Sequence, residues 1–214
     1  MKGERYLTFL TAICIFSYFM LVNRSMAVSR GDIENYILPQ EPIIRSFIYD
    51  YRDFYAGEER LIQFIEKITA LDRKCCEFMV EESRENNIDP FILLGLLKRE
   101  SDFNPNAKGS DGERGLGQLM EATAKIISEN LGYVYSPDML LEPEYNLKLT
   151  ITQLSYLQKV YDNMHMALTA YNRGQQGLIN YMEATGNKTG QSDYSTKVLL
   201  FAAEYEEAFE KFNN

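Results

Sequence analysis

From residue 58 onward, apolar residues recur at three- and four-residue steps. Leu61, Ile65, Ile68, Leu71, Cys75 and Phe78 or Met79 make one stripe, which predicts a helix over Glu58–Glu85 that ends at Asn86-Asn87. Asp89-Pro90 restarts a helix, because Asp caps an N-terminus and Pro fits the first helical position. The run Phe91–Leu97 is apolar nearly all round, which predicts a core helix carrying Lys98, Arg99 and Glu100 near its end. Asn104-Pro105-Asn106 forces a turn, and the glycine-rich, polar segment 108–117 reads as loop. Further helices are predicted at Glu121–Leu131 (stopped by Gly132), Pro143–Tyr161, Met164–Asn172 (closed by Gly174), Gly177–Ala184 and Tyr194–Phe212. Period-2 alternation is missing and no Asn-Gly hairpin occurs. The expected fold class is therefore all-α, with a compact helical domain over 58–214.

Upstream the pattern changes. Lys2 and Arg5 precede an almost wholly apolar run, Leu7–Val22, followed by Ser25-Met26-Ala27. That layout predicts a secretory signal peptide over 1–27, with an uncleaved membrane anchor as the rival reading. Either one implies export to the periplasm or cell envelope. Residues 28–57 read as a linker or short helical extension. Pro39 and Pro42 break any long helix there, leaving a short one near 43–55. This segment could dock an envelope assembly partner or act as a spacer.

Composition narrows the function. The net charge of −9 argues against a nucleic-acid binder, which usually presents a basic face. No repeat period points to a solenoid. Cys75 and Cys76 are adjacent on a helix, so a disulfide between them would be strained, and they read as packing thiols. No CxxC-type metal spacing is present, and no cofactor is implied. His165, the only histidine, lies between two methionines and reads as a packing or surface residue.

Glu100 is the most informative acid. It ends a buried apolar helix, so it meets both desolvation and the negative end of the helix dipole. Both favour the protonated form, which a general acid for sugar-bond cleavage requires.

The segment Glu100-Ser101-Asp102-Phe103-Asn104-Pro105-Asn106-Ala107 resembles the catalytic signature of lytic transglycosylases with a lysozyme-like fold. Gly112 to Ala124, read as GERGLGQLMEATA, resembles that family's second motif. Ala170-Tyr171-Asn172-Arg173-Gly174 resembles its third, and Tyr194-Ser195-Thr196-Lys197-Val198 its last. Asn146 matches the helix preceding the third motif. Order and spacing agree over residues 85 to 200.

The resemblance implies roles. Glu100 would be the single catalytic acid/base, and Gln118 a substrate-contacting amide. Tyr171 would hold the catalytic carboxyl through its hydroxyl. Asn172 would shape the same site, and Tyr194 would line the groove. The serine usual between the first two motifs is displaced by one, so Gly109 occupies its place and Ser110 follows. Gly117 stands where methionine is commoner, Glu121 where proline is, and Glu113 and Arg173 where alanine is usual. Thr150 replaces an expected glycine.

A family member would act, as a monomer, on peptidoglycan glycan strands. It would cleave the MurNAc–GlcNAc bond and leave a 1,6-anhydro end. Glycosidases that hydrolyse generally need two carboxyls; Asp111, Glu113 and Glu121 are candidates for a second. A lysozyme-like muramidase and a non-catalytic glycan-binding or assembly protein on the same fold are the competing expectations.

Overall fold

In the computed structural model the described residues are 42–212. The expected export segment, 1–27, and the first part of the 28–57 segment lie outside them. The chain divides into two units, Met1–Asp53 and Phe54–Asn214, and the second holds the elements that build the site. Among the described residues seven α-helices follow in order: α1 Pro42–Thr69, α2 Arg73–Glu85, α3 Pro90–Ser101, α4 Glu121–Asn130, α5 Pro143–Val160, α6 Met164–Thr185 and α7 Asp193–Glu210. A short 3-10 helix at Pro137–Leu141 precedes α5. Among the described residues there are isolated bridges, Lys108 with Arg114 and Arg114 with Leu119, but no strand. The all-α expectation holds. No described helix is long and apolar enough to cross a membrane.

One predicted boundary is corrected. The helix expected over 58–85 is broken at 70–72, and its first part belongs to a helix that begins at Pro42. Ala70 turns the chain left-handed at φ 57°. Asp72 then caps a new helix by accepting the Cys75 amide at 2.9 Å. The apolar stripe continued across the break because both segments face one core. Ile65, Cys75 and Met79 are buried in the same cluster, and Leu61, Ile68 and Leu71 pack against it. Periodicity reports the buried face, not chain continuity. At Gly174 the expected break is present. The backbone leaves helical geometry there at φ 73°, ψ 162°, so Met164–Thr185, labelled α6, is two helical segments that meet at that glycine.

Helix α3 is apolar all round because it runs through the core. Leu93, Leu94, Leu96 and Leu97 are fully buried, each worth about 1.5–3 kcal/mol relative to exposure. Asp89 caps it by accepting the Phe91 amide at 2.8 Å. Its most extensive contact is with α7, and the two run antiparallel. Phe91 stacks near Phe209 at one end, with centroids 5.6 Å apart, and Glu100 meets Tyr194 at the other. Between them Gly95 faces the Val198–Ala202 backbone, where a methyl group would collide with the Val198 carbonyl. The missing side chain lets the helices approach closely enough for their ends to meet.

Cys75 and Cys76 are free and buried. Burial pushes both thiols up, to about 12 and about 11. His165 is half-buried, with Nδ1 2.9 Å from Ser195 Oγ.

Candidate active site

Helix α3 ends in a left-handed residue, Asp102 at φ 52°, and Asn104 and Pro105 carry the chain away. Glu100 is therefore held in the last turn of a rigid, buried helix. Its carboxyl is half-buried, and the Tyr194 hydroxyl donates a hydrogen bond to Oε1. Burial pushes the carboxyl up to about 7. The Tyr194 hydrogen bond and the Arg99 charge oppose that rise, while the Glu113 charge adds to it. A group with that proton affinity can both give and take a proton near neutrality.

The hydroxyl on Glu100 comes from Tyr194 and not from the tyrosine that the resemblance implies. Tyr171 was the tyrosine expected to hold this carboxyl. Its hydroxyl instead donates to the Gly117 carbonyl at 2.8 Å, and Tyr194 holds Glu100. Position explains the exchange, because Tyr194 opens α7, which lies antiparallel against α3, whereas Tyr171 comes from α6 and reaches the loop. Burial, followed by the Glu100 charge, pushes both tyrosine hydroxyls above their ordinary range. At neutral pH both are hydrogen-bond donors, not acids.

The loop of the second motif is pinned by Asn146, which is fully buried on α5. Its Oδ1 accepts the Gly117 amide at 2.8 Å. Its Nδ2 donates to the Arg114 and Leu140 carbonyls, each at 2.9 Å. One side chain thus fixes three backbone groups from two segments. Gln118 follows, in left-handed backbone at φ 46°, a conformation uncommon for a residue with a side chain. Its Nε2 donates to the Ala107 carbonyl at 3.1 Å and the Gly115 carbonyl at 2.8 Å. Both amide hydrogens are used, so the side chain is locked with its oxygen left as an acceptor.

Two of the departures noted in the sequence turn out to be neighbours. A methyl group on Gly117 would collide with Thr150 Oγ1 and lie 2.9 Å from the Tyr171 hydroxyl. Thr150 is fully buried. The space that a side chain at 117 would need is filled from 150. The smaller residue at one position and the larger at the other form one exchange of volume.

Of the residues singled out from sequence, Glu100, Tyr194, Tyr171 and Gln118 converge. Ser110 and Asn172 are exposed, and no hydrogen bond joins either to Glu100. Arg173 is also exposed, its guanidinium 4.9 Å from the Tyr181 ring centroid. Tyr194 also lines an open hollow of about 500 Å³ with Lys98, Arg99, Asp193, Lys197 and Phe201. Among the described residues no group of three or more His, Cys, Asp or Glu could hold a metal ion. Sequence reasoning placed Asn146 on the right helix but missed its function as a clamp. The signal available was an asparagine in an otherwise apolar helical face.

A family model described as "Transglycosylase SLT domain" matches residues 77–194. The soluble lytic murein transglycosylase of Escherichia coli strain K12 is 32% identical over 105 residues, which is 47% of this chain and 16% of that protein. The soluble lytic murein transglycosylase of Salmonella typhimurium is 29% identical over 114 residues, 52% of this chain and 17% of that one. The chain thus spans under a fifth of the length of these curated relatives. Among solved structures, the 70 kDa soluble lytic transglycosylase of Escherichia coli superposes with a TM-score of 0.57 at 20% identity. That match covers 73% of this chain and 29% of that one, and it shows a shared fold.

Proposed function

The chain belongs to the transglycosylase SLT domain family, and from that premise we propose that it cleaves peptidoglycan glycan strands with Glu100 as its acid/base. The observation that carries the reading is the Glu100 carboxyl. It is raised to about 7 by burial and gripped by Tyr194 at the end of the α3–α7 contact.

The mechanism follows from one carboxyl doing two jobs. Protonated Glu100 gives its proton to the glycosidic oxygen of the MurNAc–GlcNAc bond as that bond breaks. The substrate's own N-acetyl oxygen stabilises the positive charge developing at the anomeric carbon. Glu100, now a carboxylate steadied by the Tyr194 hydroxyl, takes the proton from the C6 hydroxyl of the same sugar. That oxygen bonds to the anomeric carbon and closes a 1,6-anhydro ring. The proton returns to Glu100, and no water is consumed. Gln118 offers its locked amide oxygen to a glycan N–H or hydroxyl. Tyr171 acts indirectly, fixing Gly117 beside Gln118. The cell-envelope location that such a substrate requires belongs to the same proposal.

The test is product analysis by mass spectrometry on purified peptidoglycan. Anhydro ends from the wild type, and none from Glu100→Gln, are the expected outcome. Reducing ends would make the protein a hydrolase. Undiminished cleavage by Glu100→Gln would remove Glu100 from the mechanism.

A further inference from the structure

One feature of the second-motif loop is not used by this mechanism. Glu113 stands where alanine is usual and Gly109 where serine is, and the structure brings the two together. The Gly109 amide donates to the Glu113 carbonyl at 2.8 Å. The Glu113 side chain folds back over the same turn, and its Oε2 accepts the Asp111 amide at 3.1 Å. A methyl group on Gly109 would collide with this carboxylate, and would lie 3.1 Å from Gln118 Oε1. The carboxylate therefore sits in space that a side chain at 109 would need, next to the Gln118 amide. Glu113 is half-buried, and no described residue donates a hydrogen bond to its other oxygen, Oε1. An oriented carboxylate with one committed oxygen and one free oxygen is a built acceptor.

We propose that Glu113 is a second working carboxylate of the site, a fixed anion whose free oxygen accepts a hydrogen bond from a donor on the bound glycan beside Glu100. It touches substrate in place of the displaced serine, and Gly109 is the residue that makes room for it. The inference rests on the proposed glycan-cleaving function. A second consequence is electrostatic. Four charged or titratable groups act on Glu100: Arg99 from its own helix, Tyr194 from α7, Tyr171 from α6 and Glu113 from the loop. Of the first, second and fourth, Glu113 alone favours the protonated acid, so its charge extends the working range of Glu100 upward.

The test compares Glu113→Gln and Glu113→Ala with wild type in pH profiles of kcat/KM on purified peptidoglycan. Gln keeps the shape and can still accept the Asp111 amide, so it removes the charge while sparing the turn. Melting temperatures check the fold of both variants. In both variants the alkaline limb should move down by roughly half a unit. Both should also lose roughly tenfold in kcat/KM, carried by KM, because in Glu113→Gln the amide nitrogen stands where the free oxygen was and donates instead of accepting. Two results overturn the proposal: wild-type profiles and KM in both variants, or a loss of rate with no displacement of the limb, which a purely structural role would give. Glu100→Gln run beside them keeps the two ideas separate. If it is inactive while the Glu113 variants behave as wild type, only the role of Glu113 fails. If it stays active, the acid/base reading fails first.

Discussion

Replacing Glu100 by Gln should stabilise the protein, and only at neutral and alkaline pH. The folded carboxyl titrates at about 7, against 4.5 for the free side chain. The difference, 7 − 4.5, is 2.5 units, or about 3 kcal/mol at 1.36 kcal/mol per unit. Below pH 4 both folded and unfolded chains hold this proton, and the group contributes nothing to the pH dependence. Between 4.5 and 7 the unfolded chain releases the proton while the folded chain keeps it, so stability falls as pH rises. Above 7 both have lost it, and the full penalty of holding a carboxylate in that position remains. Gln has the same shape and carries no such penalty. Wild type and Glu100→Gln should therefore melt together at pH 4. They should separate through pH 6 and differ by about 3 kcal/mol at pH 8, on the order of 6 °C in Tm for a domain of this size. Every other titrating group is common to both proteins and cancels in the comparison. Thermal and urea melts at the three pH values measure the difference. An equal offset at every pH, or a less stable variant at pH 8, would refute the claim that burial holds a proton on Glu100.

Three other outcomes test the surrounding geometry. Tyr194→Phe removes a donor to the carboxylate, a bond of about 1.5–3 kcal/mol. The alkaline limb of activity should therefore move up by about one unit while kcat falls roughly tenfold or more, as read in pH profiles on peptidoglycan. Asn146→Ala strands the Gly117 amide and the Arg114 and Leu140 carbonyls, and should cost about 3 kcal/mol in urea denaturation. Gly117→Met forces a side chain against Thr150 and should lose about 2–3 kcal/mol. Adding Thr150→Gly should recover at least half, and a double-mutant cycle with no coupling would show that the two sites do not share that space.

The sequence was most legible where one physical signal dominated. The all-apolar run 91–97 announced a central helix, and Asp89-Pro90 marked its start to the residue. Glu100 followed from its place at that helix's end together with the motif that it opens. The break at 70–72 was hidden because the core-facing stripe did not change phase across it. The exchange between Tyr171 and Tyr194 was hidden for another reason. Which tyrosine reaches Glu100 depends on the antiparallel docking of α3 on α7, and no local pattern encodes that. The pairings Gly109 with Glu113 and Gly117 with Thr150 appeared in sequence as unrelated oddities. Each becomes intelligible once the two positions are seen to compete for one volume.

The antiparallel pairing of α3 and α7 also governs the order of assembly. Tyr194 lies 94 positions after the carboxyl it holds, so a ribosome delivers Glu100 long before its partner. A chain stalled ahead of residue 193 would have the leucines of α3 without their cover and the acid without its grip. Competence therefore arrives only once α7 has been synthesised, and a fragment lacking that helix should be both sticky and inert.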